Sequence, residues 1–537
     1  MLSVRELEAP KHPEVQRSRN PYVWLCIASF TIFYFVDVLL RASAKYFWYD
    51  EILTLYFARL PGLHSLWGAL QSGLESNPPA FHLLTRATEA IFGEGLVATR
   101  LPEIISFWVM CLCLFYFVER RAGVIAGFIA MVLPMLTGVY YYAYEARPLI
   151  IVAACAGLAV VCWDHSKQAF HRNAWLLGFS LALFAAFMMH CYAILLMIPF
   201  GIAELARDLR GRDLNWRFWI AWIAPLLPAS FLYIPLLRAF RAAAKGTDFA
   251  ITFPPLWPEV LRFYSFLLLP CSAILILALS LFALDRVARP GKSVDEKRRV
   301  IFDWDDALLS GGFAALPVFG IVVAQLVHSP YFTRYFLSAI FGFCIPFALL
   351  AGDARARTWV RPVLTTVICV SLALNLGRII RHRIHGEGEN LIEPSTSMWL
   401  STTPGKPLAN YPLIRSITRG DSKPIAMLEP LDFLYLVEYA PELRPRLYYI
   451  HSFEADAQFR GLGAFLPWSP VKYNPVLIGR DFVRKYPSLY IYSDVAHLEE
   501  FYRLSKLASI KSFKAMEGHF LVSMLAEQPA EQVPQAR

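Results

Sequence analysis

Charge is scarce in this sequence: Asp, Glu, Lys and Arg make up 17% of its 537 residues, too little to clothe a water-soluble body of that length. Cysteine offers no framework. The nine cysteines (26, 111, 113, 155, 162, 191, 271, 344 and 369) lie in or beside apolar runs, none beyond residue 380, and none at paired metal-ligand spacing, which excludes a disulfide scaffold and a zinc site. No glycine-rich phosphate loop follows residue 380, which argues against a nucleotide site there. Convincing internal repeats are missing and charges in the middle of the apolar runs are nearly so, which makes a transporter or flippase of lipid-linked sugars the weaker reading. The formal net charge of +9 does not imply a nucleic-acid partner, because Lys and Arg sit in short segments between apolar runs, where they act as topology signals.

What is abundant is apolar: 57% hydrophobic residues, with 40 Phe, 14 Trp and 25 Tyr, gathered into long blocks. That is the composition of an integral membrane protein. Residues 1 to 21 hold Arg5, Lys11, Arg17 and Arg19, which keep the N-terminus in the cytoplasm. A first span at 22 to 40 is read as a retained anchor, since its apolar run is too long for an ordinary signal segment although Ala42-Ser43-Ala44 resembles a cleavage site. Residues 41 to 97 then form a long external loop broken at Pro61-Gly62 and Asn77-Pro78-Pro79. Between the breakers, Leu53, Tyr56, Phe57 and Leu60, then Leu63, Leu66, Trp67 and Leu70, recur at helical spacing and predict short helices lying on the interface. Further spans at 101 to 118, 122 to 140, 149 to 163, 175 to 189, 191 to 205, 217 to 237, 263 to 283, 307 to 327, 336 to 352 and 362 to 379 bring the total to eleven. An odd number leaves the C-terminal segment outside. The external loop 238 to 262 carries Arg238, Arg241, Lys245 and Arg262 against the positive-inside rule, an exception that asks for a reason.

Residues 380 to 537 change character. Strands are predicted at Pro424 to Leu428, Arg446 to Ile450, Ser488 to Tyr492 and His519 to Met524, with helices near 431 to 440, 480 to 486 and 495 to 504, the pattern of a soluble α/β domain. The expected architecture is therefore mainly α: a cytoplasmic tail (1 to 21), a transmembrane module (22 to 379) and an extracytoplasmic α/β domain (380 to 537).

Two carboxylates stand out at the far water boundary, Asp50 and Glu51. Acids suit the first turn of a helix, so capping explains them as well as chemistry does. The chemical reading is a carboxylate that removes a proton from an acceptor hydroxyl. An adjacent pair can also hold Mg2+ or Mn2+, although no further ligand set is evident. Asn77-Pro78-Pro79 fixes backbone geometry. In Tyr144-Glu145-Ala146-Arg147-Pro148 an acid and a base stand two residues apart at the end of a span, where a local ion pair or a ligand satisfies them. Arg100 and Arg334 map to the same face and read either as snorkelling anchors or as anion contacts. His190, at a hairpin tip, reads as structural before functional. Together with Arg238, Arg241, Lys245 and Arg262 these cations can receive the charge that develops on a departing phosphate.

The order Asp-Glu (Asp50-Glu51), Asn-Pro-Pro (Asn77 to Pro79), Arg-Leu-Pro (Arg100 to Pro102) and Glu-Ala-Arg-Pro (Glu145 to Pro148) resembles the GT-C glycosyltransferases that use polyprenyl-phosphate sugars. The nearest branches resembled are bacterial relatives of protein O-mannosyltransferases, aminoarabinose transferases and lipopolysaccharide-core galacturonosyltransferases. The resemblance implies a bacterial plasma-membrane enzyme, a polyprenyl-phosphate sugar donor, and a lipid, glycan or protein acceptor. It also implies Asp50 as base, Glu51 beside it on the acceptor, Glu145 and Arg147 near the donor, and Arg334 on the lipid phosphate. Arg147-Pro148-Leu149 departs from the Arg-Pro-Tyr common in the family, which leaves the donor sugar open. A glycan-binding scaffold is the non-enzymatic alternative.

Overall fold

The computed structural model describes residues 21–71, 75, 77–168, 170–244, 256–287, 303–327, 331–352, 359–385, 411–428, 430–452, 477–494, 498–516 and 519–526. Among these, eight helices are long and apolar enough to cross a membrane, or up to ten if each of two bent helix pairs counts as one span. The chain is a polytopic membrane protein, and helices fill most of it. The expected span at 191 to 205 is where the count differs. There the chain makes a tight turn at Cys191–Leu196 and then the helix Met197–Gly211. That helix carries Glu204, Arg207, Asp208 and Arg210, and Glu204 is satisfied by Trp163 Nε1 at 3.0 Å and Asn215 Nδ2 at 2.5 Å. These charges lie at the end away from His190, where Arg210 pairs with Asp305 beside the Arg121–Asp306 bridge, so turn and helix together still pass from one end of the bundle to the other.

The spans pack through residues that let backbones approach. A Cβ on Gly342 would fall 2.3 Å from the Ala314 nitrogen, so the helices Trp304–Ala314 and Phe341–Ala351 meet only because that position is glycine. At the opposite end from the 41 to 97 loop, Arg121 bridges Asp164 at 2.7 Å and Asp306, tying three segments together.

The C-terminal unit is a six-stranded mixed sheet in the order β3-β2-β1-β4-β6-β5. Its strands are β1 (Ile425–Met427), β2 (Leu447–Ser452), β3 (Leu477–Ile478), β4 (Ser488–Asp494), β5 (Ala508–Met516) and β6 (His519–Ala526). β1 runs parallel to β2 and β4, while β6 pairs antiparallel with β4 and β5. Alternation along the strands sorts the residues between two faces. Ala426, Leu489, Ile491 and Val522 pack with Phe482, Val483 and Leu504 of the helices on one face. Ile425, Met427, Tyr490, Tyr492 and Leu521 face the other way, into a core shared with the loop.

That shared core corrects the expectation of interfacial helices. The helices Tyr49–Ala58 and Gly62–Leu70 bury Ile52, Leu53, Tyr56, Phe57, Leu60, Leu66 and Leu70 against Phe433, Leu434, Tyr435 and Val437 of the C-terminal domain. An apolar stripe demands a cover, and here the cover is protein, not lipid. The loop and the C-terminal domain consequently lie on one side of the membrane. The last span helix runs Val360–Ile384, while residues 1–20 of the N-terminal tail, Lys245 and the segment 386–410 lie outside the described residues.

Candidate active site

The helix Tyr49–Ala58 is pinned at both ends, and this places Asp50. At its start the Trp48 N–H donates to Glu51 Oε2 at 3.2 Å. At its end Arg86 donates to Ala58 O and Leu60 O, each at 2.6 Å. Arg59 pairs with Glu89 at 3.0 Å. The two members of the acidic pair meet different partners.

Glu51 is fully buried. Its Oε1 accepts from Arg100 Nε at 2.7 Å and from the Ala146 N–H at 2.7 Å, and its Oε2 accepts from an Arg100 terminal nitrogen at 2.9 Å. Burial alone would raise this carboxyl, but Arg100, then Lys45, override it and hold it below its ordinary value. Arg100, also fully buried, spends its remaining donors on the carbonyls of Ala42 (2.8 Å), Lys45 (2.7 Å) and Tyr46 (3.1 Å). No N–H of that guanidinium is left for a phosphate. Expected at the substrate, Glu51 and Arg100 are instead the lock that shapes segment 42–51 and joins it to residue 146.

Asp50 faces the other way. Its Oδ2 lies 2.8 Å from an Arg334 terminal nitrogen and 3.7 Å from Arg147 Nε. Neither approach has hydrogen-bond geometry, and Asp50 Oδ2, Arg147 Nε and Arg334 Nε are buried without a hydrogen-bond partner. Arg147 is anchored instead through Glu75 at 3.2 Å. The guanidinium of Arg334 lies 5.2 Å from the Trp48 ring centre and 5.0 Å from that of Phe332. The result is a carboxylate beside two cations, all three with unspent hydrogen-bonding capacity.

Around this centre stand further polar atoms without partners. The Asn77 side chain is fully buried with both Oδ1 and Nδ2 unpaired, while its backbone N–H donates to Glu75 Oε1 at 3.1 Å. Trp48 Nε1 and Glu145 Oε1 are likewise buried and unpaired. Glu145 Oε2 meets Lys45 at 3.3 Å, and burial raises the Glu145 carboxyl above its usual value despite that cation. Tyr144 packs edge-on to Tyr140, and its ring centre lies 5.7 Å from Lys45 Nζ. Buried polar groups left unpaired are costly, so their concentration here makes this the candidate site for a polar ligand.

His190 caps the turn that follows Met189. Its Nδ1 accepts from the Tyr192 N–H at 3.2 Å, which makes Nε2 the protonated nitrogen of the neutral ring, and its ring lies 4.4 Å from that of Tyr335, next to Arg334. Burial, then Arg147 and Arg334, push the imidazole down to about 3. Burial, then Arg147, do the same to His82, also to about 3. From the unfolded value near 6.5 down to about 3, the unfolded chain binds protons that the native chain refuses. The stability these rings contribute is therefore complete above 6.5 and falls with pH by about 1.4 kcal/mol per unit for each ring. Thermal midpoints recorded from pH 7.5 to 5 should drop accordingly, and His190→Gln should flatten the slope.

Arg262 does not join the cluster. It is half-exposed and pairs with Glu259 on the helix Pro258–Leu268. Arg238 and Arg241 stand exposed on the helix Leu226–Ala244. Two residues of the cluster went unread in the sequence. Lys45 looks like one more charge at the end of a span. Glu75 precedes a motif that was read for its prolines alone.

Mg2+ or Mn2+ does not fit these residues. Asp50 and Glu51 diverge around the helix, each already faces guanidinium, and among the described residues no three His, Cys, Asp or Glu side chains gather as a metal site.

The fold matches the GT-C fold expected from the sequence. The chain is similar to the crystal structure of ArnT from Cupriavidus metallidurans bound to undecaprenyl phosphate, with 14% identity and a TM-score of 0.55, over 94% of this chain and 98% of that one. The apo state of the same protein matches equally, with a TM-score of 0.55 at 14% identity over 94% and 98% of the two chains. The archaeal oligosaccharyltransferase AglB from Archaeoglobus fulgidus, in complex with an inhibitory peptide and a dolichol-phosphate, aligns with 95% of this chain and 75% of its own at 12% identity and a TM-score of 0.38. No protein-family model and no curated protein matches the sequence.

Proposed function

We propose that this protein is an integral membrane glycosyltransferase that moves a sugar from a polyprenyl phosphate to an acceptor hydroxyl on the extracytoplasmic face of the plasma membrane. The observation that carries the reading is Oδ2 of the largely buried Asp50 carboxylate, itself buried, without a hydrogen bond, and close to both Arg147 and Arg334. The fold shared with ArnT, whose structure holds undecaprenyl phosphate, supports a lipid phosphate as the leaving group.

Asp50 takes the proton of the acceptor hydroxyl as its oxygen bonds to the anomeric carbon. The bond from that carbon to the phosphate oxygen breaks on the opposite side, its electron pair leaves with the lipid phosphate, and the anomeric centre inverts. Arg147 and Arg334 receive the growing negative charge. Before the donor arrives they lie against Asp50, so phosphate competes with the aspartate for the same cations and frees it to act as base. Asn77, Trp48 Nε1 and Glu145 offer donors and acceptors to sugar hydroxyls. Glu51 and Arg100 touch no substrate and hold the segment in place.

The test is transfer from a radiolabelled polyprenyl-phosphate sugar in proteoliposomes that hold the full chain and a lipid or glycan acceptor fraction. Arg147→Ala and Arg334→Ala should each lower kcat/KM by about ten- to hundredfold, the worth of a charge-assisted contact, with partial recovery in the Lys variants. Rates unchanged in both Ala variants would remove the phosphate from this site. A product that retains the donor's anomeric configuration would rule out direct displacement.

A further inference from the structure

The C-terminal domain does more than cover the loop. Its helix Pro430–Tyr439 ends on the segment that carries Asp50, and the last residue of that helix makes the contact. The Tyr439 hydroxyl accepts from the Phe47 N–H at 2.5 Å and approaches the Phe47 carbonyl, as donor, at 3.4 Å. Its ring meets that of Tyr46 edge-on, 4.8 Å between centres. One hydroxyl thus serves both backbone groups of a residue three positions ahead of Asp50.

We infer that Tyr439 is a positioning residue for the reaction, through which the extracytoplasmic domain sets the place of Asp50. The inference rests on the reading of Asp50 given above. Segment 42–51 is held from below by Arg100, which gathers the carbonyls of Ala42, Lys45 and Tyr46 and the Glu51 carboxylate. Arg100 lies 4.8 Å from the centre of the Phe47 ring but takes neither backbone group of that residue. Its N–H precedes the helix and has no intrahelical acceptor, so Tyr439 supplies what the first turn leaves over. With Arg100 on one side and Tyr439 on the other, the backbone entering Tyr49–Ala58 is fixed along its length. Asp50 then stands at a set distance from Arg147 and Arg334, which belong to other elements. Release of Phe47 lets the first turn shift against those cations, and a displacement of about 1 Å at a reacting group costs up to about a hundredfold in rate.

The position of Tyr439 in the domain gives the contact its reach. Its helix follows β1, the strand at the centre of the sheet, and Phe433, Leu434 and Val437 of the same helix share the core that holds Ile52, Tyr56 and Phe57. Movement of the sheet moves Tyr439 and the catalytic helix together.

The experiment compares the full chain with Tyr439→Phe and Tyr490→Phe in nanodiscs. Tyr490 gives its hydroxyl to Asp421 at 3.0 Å, within the same domain, and controls for loss of any tyrosine hydroxyl. Hydrogen exchange across residues 44–51 should quicken by about tenfold or more in Tyr439→Phe and stay at the wild-type rate in Tyr490→Phe. Transfer by Tyr439→Phe should show kcat lowered about tenfold with the donor KM unchanged. Wild-type exchange across 44–51 in Tyr439→Phe, or the same quickening in both variants, overturns the inference, as does an unchanged kcat. Asp50→Asn, run beside them, separates the two readings. If it transfers sugar at the wild-type rate, the role of Asp50 falls, while the exchange data still decide whether Tyr439 holds the segment.

Discussion

Asp50→Asn is expected to lower the rate of sugar transfer by about a hundred- to ten-thousandfold, the range contributed by a positioned general base, while the chain folds and inserts as before. Asparagine keeps the shape of the side chain and loses the site that takes the proton. The structural loss is small because Asp50 Oδ2 makes no hydrogen bond in the folded chain, and Arg147 keeps its pairing with Glu75 at 3.2 Å. Arg334 retains its contacts with the Trp48 and Phe332 rings. Initial rates in proteoliposomes, read beside the thermal midpoint and expression level, check the expectation. A variant within tenfold of wild type would dismiss Asp50 as base. An intact rate of lipid-sugar translocation together with absent transfer in the wild type would favour the transporter instead.

The second large effect is on folding. Arg100→Ala should destabilise the protein by about 3–5 kcal/mol, because it leaves the Glu51 carboxylate fully buried with its main partner removed. It also strips donors from the carbonyls of Ala42, Lys45 and Tyr46. Glu51→Gln should cost less, since the amide oxygen still accepts from Ala146 N–H or Arg100. If the cost of Arg100→Ala comes from the stranded charge, the double variant Arg100→Met with Glu51→Met should recover much of it. Thermal unfolding in detergent followed by size-exclusion chromatography measures all three. Equal midpoints for wild type and Arg100→Ala would refute the lock. The pair of variants thus separates two expected kinds of loss, that of the proposed reaction in Asp50→Asn and that of the fold around it in Arg100→Ala.

Much of the architecture was legible because the forces that set it are local. Long apolar blocks demand lipid or a buried core, and the positions of Lys and Arg between them set the turns. The strands around Ile425, Leu447, Tyr490 and Leu521 announced themselves by apolar β-forming residues, and the helices between them by amphipathic spacing. β5 did not, because Ser509, Lys511, Ser512 and Lys514 interrupt its apolar residues and an edge strand with both faces in water has no pattern to display. The span expected at 191 to 205 is not one continuous helix, because a tight turn at Cys191–Leu196 precedes Met197–Gly211 and the end of that helix carries a charge, Glu204, bonded to Trp163 and Asn215. The short loop helices were recognised as helices but assigned the wrong cover, because periodicity records that a face is apolar and not what lies against it.

What the residues determined alone was the class of protein, the loop that bears the acids, and the cations available on that face. These follow from composition and from interactions within a few positions of one another. Which acid faces the cations and which locks the backbone was settled only by the tertiary structure, because Asp50 and Glu51 are neighbours in sequence whose side chains leave the helix in different directions. Arg100 meets one and Arg147 and Arg334 meet the other only after distant segments have packed. The hold of Tyr439 on Phe47 spans 392 positions of chain, a separation over which no local pattern carries information.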